Sequence, residues 1–367
     1  MAIKINSPIK GFRLGGNSPA PAAVIAAAED RRLELQQVRA DISDVLYLEH
    51  RHSSPEGSPS WTYMVTSPSA RFGVVVGDTG GLDPQVFEVW AVGDTPRGMS
   101  AIAKNLSLDM RARDRRWLQS KLESLAKTSG DAFDMVMPDG KLTRLPSEVA
   151  AMARLILWRC EALGMFKEAN PAPLIEAMMF KREPKTSPDG TLSWTVDVAN
   201  PNTGDDFVLY VKEGVLPDTQ QRRPFSIWLS GSYPKALDGL CKALSRDLWV
   251  APVDWVLRKL DQLHDVSEPM GDFMAQVPGS EKRQSYPSTV AYLSVLIKHR
   301  LSMLGLLQAD GGVTTKPVLR LVDRMDKKVA SVAEQRAGEL CSQCNTFSLT
   351  RSGGCSVCAE CGFSSCQ

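Results

Sequence analysis

Apolar and polar positions alternate with two periods along this chain. Runs such as SWTYMVTS, FGVVVGD and FEVWAV carry the two-residue period of half-buried strands, and SWTVDV, DFVLYVK and FSIWL do the same about 135 residues later. VLYLEHR and MMFKR precede these sets and give each about four short strands. Three helical patterns follow the first set, near 98–112, 115–127 and 147–163, with Pro146 and Pro287 at helix starts and Gly164 and Gly305 at helix ends. Strands first and helices afterwards predict an α+β fold, an antiparallel sheet with helices on one face.

The pattern is duplicated. FEVWAVGDTPRGMSAIAKNLSLDMRARDRRWLQSKLESLA from Phe87 aligns without a gap with FSIWLSGSYPKALDGLCKALSRDLWVAPVDWVLRKLDQLH from Phe225. The two share twelve of forty residues, where average usage gives about two or three by chance. LPSEVAAMARLILWRCEALG (145–164) answers YPSTVAYLSVLIKHRLSMLG (286–305), and SSPEGSPSWT (53–62) answers TSPDGTLSWT (186–195). The predicted organisation is a leader and helix over 1–42, two repeats at 43–168 and 175–309, a linker helix over 317–337 and a cysteine-rich tail over 338–367.

Large aromatics at matched positions predict matched cores, so Trp90, Trp228, Trp117 and Trp255 are expected to be buried. Asp109 and Asp247 lie within helical patterns, where a hydrogen bond to backbone or lysine is the expected role, not acid/base catalysis. Cys160 and Cys241 align with Leu301 and Ala103 of the other repeat and read as small buried hydrophobes. His50 and His52 share a strand face but have no third ligand nearby, which leaves a surface strand. The chain has no phosphate-binding loop, no dinucleotide fingerprint and no H-E-x-x-H, so the repeats offer no enzyme by themselves.

The net charge of +1 gives no basic field for a phosphate backbone, which argues against nucleic acid as the main partner. The longest nearly uncharged apolar run, AAMARLILW, is far short of a membrane span, and the N-terminus has no apolar signal core. A cytoplasmic protein is expected, and there clustered cysteines serve as metal ligands or redox groups more often than as structural disulfides.

Six of the eight cysteines lie in CSQCNTFSLTRSGGCSVCAECGFSSCQ, residues 341–367. Cys341 with Cys344 and Cys355 with Cys358 form two C-x-x-C pairs ten residues apart, the spacing of a four-thiolate zinc ribbon. Cys361 and Cys366 are then left as a pair among small residues, suited to thiol exchange. Cys358 and Cys361 also read as a knuckle, and in that division Cys355 or Cys366 changes role. The spacing favours the first division.

The tail pattern, C-x-x-C then G-C-x-x-C-x-x-C-G-x-S-x-C, resembles that of adenosylcobalamin-dependent (class II) ribonucleotide reductases. The repeats are similar to the TSCPD-type domain beside that tail, through F-x-[VI]-W and P-S-x-V-A, and IKGFRL is similar to the segment that joins it to the catalytic part. The resemblance implies a C-terminal dithiol, by motif Cys361 and Cys366, that re-reduces an active-site disulfide and is itself restored by thioredoxin or glutaredoxin. It also implies that adenosylcobalamin sits on a partner subunit, because this chain has no room for the catalytic barrel. The expectation is therefore a non-barrel subunit of a split ribonucleoside-diphosphate reductase, serving DNA synthesis with zinc as its structural metal. The rival expectation is a zinc-ribbon scaffold with no redox cycle.

Overall fold

A computed structural model describes residues 57–167, 172–186, 188–216 and 219–307, and in the tail the backbone of residues 349–352, 355–358 and 364–366. The chain divides into two units, Met1–Leu216 with Arg222–Arg300, and Pro217–Gln221 with Leu301–Gln367. The leader, the strand VLYLEHR with His50 and His52, and the linker helix lie outside the described residues.

In the first unit, β1 (Ser60–Thr66), β2 (Arg71–Asp78) and β3 (Val86–Asp94) form an antiparallel sheet in that order. Two helices follow, α1 (Met99–Arg111) and α2 (Arg115–Leu125), then a hairpin of β4 (Phe133–Val136) and β5 (Leu142–Leu145), then α3 (Glu148–Ala162). A single turn, α4 (Pro173–Glu176), leads to the second copy. That copy repeats the order with β6 (Ser193–Asn200), β7 (Asp205–Val215), β8 (Arg222–Ser232), α5 (Ala236–Asp247), α6 (Val253–His264), β9 (Phe273–Gln276), β10 (Arg283–Tyr286) and α7 (Thr289–Met303). The fold is α+β with antiparallel sheets, as the two periods predict.

Two details differ from the sequence reading. The β4–β5 and β9–β10 hairpins stand between the second and third helices of each copy, where no strands were expected. They are short, yet Phe133 and Met135 alternate inward against exposed Asp134 and Val136, and Asp139-Gly140, with Gly140 at φ 80°, is a known hairpin signal. MMFKR is not a strand. Met179 N donates to Trp249 O at 2.8 Å and Ala251 N to Ala177 O at 2.9 Å, one bridge that the charges of Lys181 to Glu183 and Pro184 do not extend.

Helix starts are set by serine. Ser147 Oγ accepts from Ala150 N at 3.1 Å and donates to Thr128 O at 2.7 Å; Ser288 Oγ accepts from Ala291 N at 3.1 Å and donates to Val266 O at 2.6 Å. The preceding Pro146 and Pro287 therefore stand one residue before the cap and not inside the helix. Gly164, at φ 75°, ends α3, and Met165 N closes back on Cys160 O at 3.0 Å.

Within each copy the sheet is covered by helices on one face: α1 packs on β3, and α3 on β1 and β2. Phe72, Val74 and Val76 of β2 lose all solvent contact, and Trp61 of β1 stacks on Trp158 of α3 at 5.3 Å. The copies meet through helices, α1 against α5 and α6, and α2 against α5. Gly239 in α5 permits the close approach, since a Cβ there would stand 2.7 Å from Val149 and 3.0 Å from Ile102.

Candidate functional site

Where the copies meet, the matched residues converge. Asp109 ends the last turn of α1, and Trp117 and Lys121 stand one turn apart on α2. Asp247, Trp255 and Lys259 occupy the same places on α5 and α6. Each tryptophan Nε1 donates to the aspartate of its own copy, Trp117 to Asp109 at 2.8 Å and Trp255 to Asp247 at 2.9 Å. The lysines cross over: Lys121 Nζ lies 2.7 Å from Asp247 Oδ2, and Lys259 Nζ lies 2.7 Å from Asp109 Oδ1. Lys121 also reaches Asp109 at 2.9 Å, and the two indoles meet edge to face at 6.4 Å.

Asp109, Asp247, Lys121 and Lys259 are wholly buried. Burial alone would raise the carboxyl of Asp109, but the Lys121 and Lys259 ammoniums overcome it and hold the group below its ordinary value. Burial pulls Lys259 down to about 8, against the opposing pull of Asp109. The arrangement satisfies its charges internally and reaches no solvent. It is an interlock between the copies, and the two aspartates serve their lysines and tryptophans as the sequence reading expects.

Trp117 and Trp255 are buried, whereas Trp90 and Trp228 are 48% and 52% exposed, a correction to the expectation that all four fill the core. The reason is strand parity. Phe87 and Val89 point under α1 with Phe225 and Ile227 their counterparts, so a tryptophan three residues after the phenylalanine falls on the opposite face. Recurrence showed a shared role at these positions, and the role is on the outer face of each sheet.

A cleft of about 430 Å³ between the copies is lined by Ser147, Arg97, Asp205, Tyr233 and Lys235 among others. Its main charges are already matched, with Arg97 Nη2 2.7 Å from Asp205 and 3.3 Å from Glu268.

Thiol chemistry separates sharply by region. Cys160 and Cys241 are buried, and desolvation pushes Cys160 up to about 12 and Cys241 higher still, so neither supplies a thiolate at neutral pH. Both match the reading of small buried hydrophobes. Among the described residues no cluster of His, Cys, Asp and Glu could hold a metal ion. No helix of the described residues is long and apolar enough to cross a membrane.

In the tail, β11 (Leu349–Ser352), β12 (Cys355–Cys358) and β13 (Ser364–Cys366) form an antiparallel sheet in that order. Gly353 and Gly354 separate the first two strands, a composition suited to a tight hairpin connection. Cys355 and Cys358 are the ends of β12, and Cys366 ends β13. The register sets Cys355 opposite Ser352 on one side and Cys366 on the other, and Cys358 opposite Leu349. Cys341, Cys344 and Cys361 lie outside the described residues.

Comparison with protein-family models, with curated proteins and with solved structures finds no significant match for the chain.

Proposed function

We propose that this chain is the accessory, non-barrel subunit of an adenosylcobalamin-dependent ribonucleoside-diphosphate reductase, and that a dithiol in its C-terminal tail re-reduces the active-site disulfide of a separate catalytic barrel. The observation that carries the reading is the division of the cysteines. Six are gathered within residues 341–367, and the two in the repeats are buried and held as thiols. A chain whose thiols outside the buried cores gather in one short stretch of sequence is suited to delivering electrons, and its repeats are suited to docking the delivery arm. Cys341, Cys344, Cys355 and Cys358 would close a structural zinc site, and Cys361 and Cys366 would exchange. Adenosylcobalamin would belong to the barrel, and thioredoxin or glutaredoxin would restore the tail.

The test is turnover of the barrel subunit with thioredoxin as reductant, with and without this chain. The expected result is sustained turnover only when the chain is present, lost in Cys366→Ser. Dithiothreitol, small enough to enter the barrel unaided, should support turnover in either case. Equal thioredoxin-dependent rates with and without the chain would sink the reading.

A second reading, a zinc-ribbon scaffold without a redox cycle, draws on the outer sheet faces. Exposed Trp90 and Trp228 at matched positions, with Met64 and Val92 beside Trp90, give each copy an apolar surface suited to assembly. In that case Cys366→Ser would leave turnover unchanged while removal of the whole chain abolished it.

A further inference from the structure

Beside the contact of α1 with β3 lies a second cavity, of about 360 Å³. Its walls are apolar: Phe87 and Val89 of β3, Ala103 of α1 and Val266, just beyond α6 of the other copy, all line it and are almost wholly buried. Half-exposed Trp90 lines it as well, so two aromatic rings border the space. The volume falls within the roughly 300 to 1,000 Å³ of small-molecule sites, whereas close-packed interiors keep few voids larger than a water.

The other copy shows how the space arises. Ser100, Ala103 and Arg111 line the cavity, and the residues matched to them are Asp238, Cys241 and Trp249. Asp238 accepts from the Tyr233 hydroxyl at 2.9 Å, Cys241 is buried, and Trp249 lays its indole on the edge of β8, Nε1 donating to Phe225 O at 2.7 Å. Ser100 and Ala103 are smaller than their counterparts, and Arg111 turns its Nε back to Ser107 O of its own helix at 3.2 Å. The cavity is thus a product of particular side chains at three matched positions.

Two polar groups of the lining have no partner among the described residues. Gln262 Oε1 is buried and accepts no hydrogen bond. Lys104 is half-buried and forms no ion pair, with neither Glu88 nor Asp265, the two carboxylates of the lining, engaging it. Glu88 and Arg111 have partners of their own. A buried acceptor without a donor is destabilising, so a ligand that donates to it gains what the protein alone forgoes. An unpaired ammonium beside an apolar wall favours an anion on the same ligand.

We propose that this cavity binds a small carboxylate with a flat apolar body and an N–H group. The body lies against Phe87, Val89 and Val266, the N–H donates to Gln262 Oε1, and the carboxylate pairs with the Lys104 ammonium. A strand, a helix and the end of a helix from the other copy surround the space, which suits a compact molecule better than a segment of another protein.

Isothermal titration calorimetry of the full chain with indole-3-butyrate, which has the aryl body, the N–H and the carboxylate, tests this. Saturable binding is expected, weakened about tenfold in Lys104→Met and in Gln262→Leu, each through the loss of one polar contact. Indole-3-butyramide, which lacks the charge, should bind the native chain about tenfold more weakly and should not distinguish it from Lys104→Met. Ser100→Trp, at an exposed position of the lining, puts an indole into the space and should abolish binding. A second readout needs no variant inside the titration: the indole N–H signal of Trp90 in isotope-labelled protein, assigned by its absence in Trp90→Phe, should shift as the ligand is added. No saturable binding at about 1 mM ligand, an unmoved Trp90 signal, binding that survives Ser100→Trp, or equal affinities in the native chain, Lys104→Met and Gln262→Leu would each overturn the proposal. The reductase reading stands or falls apart from all of these.

Discussion

At one matched position the two copies hold Asp114 and Pro252. Asp114 caps α2, accepting from Trp117 N at 2.8 Å, and its second oxygen accepts from Leu174 N at 2.8 Å and Ile175 N at 3.1 Å. It thereby fastens the connection between copies to the start of the helix. Pro252 precedes α6 with no side-chain cap. A second difference lies at the interlock. Asn105 Oδ1 accepts from Lys121 at 2.8 Å, its Nδ2 donates to Asp247 at 3.2 Å, and its carbonyl accepts from Lys259, whereas the matched residue is Ala243. By contrast Ser107 and Ser245 do the same work in both copies, accepting from Val89 N at 3.0 Å and Ile227 N at 2.8 Å. The serines that face their own copy's sheet and the aspartates, tryptophans and lysines of the seam have stayed alike, whereas Asp114, which holds the connection between copies, and Asn105, which enters the seam from one copy alone, have diverged.

Breaking the shared part should cost most. Asp109→Ala leaves Lys259 buried with its direct carboxylate partner removed, and Asp247→Ala takes from buried Lys121 the nearer of its two carboxylates. Each is expected to lower unfolding free energy by about 3 to 5 kcal/mol, since removing one partner strands a buried charge. Urea denaturation measures it, and a loss below about 1 kcal/mol would show that the cluster is not an interlock.

The diverged positions should cost less and unequally. Asp114→Ala and Asn105→Ala are each expected to lose about 1 to 3 kcal/mol, through buried donors and acceptors left without partners. Pro252→Ala should change stability by well under that amount. Equal losses at Asp114 and Pro252 would remove the asymmetry between the copies.

The pH dependence sharpens the same contrast. Lys259 titrates near 8 when folded, below its ordinary 10.5. Between those values the unfolded chain binds more protons, so this lysine makes stability rise as pH increases across that window. Urea midpoints from pH 8 to 10, compared between the native chain and Lys259→Met, isolate the contribution. The native chain should gain stability relative to the variant, and a relative loss would reverse the assigned direction.

The smallest effect is expected on the outer sheet faces. Trp90→Ser and Trp228→Ser should shift unfolding free energy by about 0.5 to 1 kcal/mol at most, whereas Trp117→Ala, at a wholly buried site, should cost about 3 to 5 kcal/mol. Comparable losses at Trp90 and Trp117 would put the exposed tryptophans back in the core.

Much of the fold was legible because periodicity and duplication are local or comparative signals. Three long strands and three helices per copy, the role of Asp109 and Asp247, and the burial of Cys160 and Cys241 all follow from pattern and matched position. The short hairpins were harder to see, since four-residue strands carry little periodicity and only the Asp139-Gly140 turn marks the first. Trp90 and Trp228 show a different limit. The phenylalanine and tryptophan of F-x-[VI]-W are three apart, and once the segment is a strand that spacing alone puts them on opposite faces.

The amino-acid sequence by itself determined that the chain is built from two copies of one unit, where their strands and helices run, and that its available thiols gather at the end, because repetition, period and spacing are written in residue order. Only the tertiary structure decided which lysine neutralises which aspartate, and that they cross between copies, because that depends on how α2 and α6 pack against the opposite copy. Only the register of β12 and β13 made Cys355 and Cys366 backbone partners, because pairing between strands sets two residues opposite one another that spacing along the chain keeps eleven positions apart.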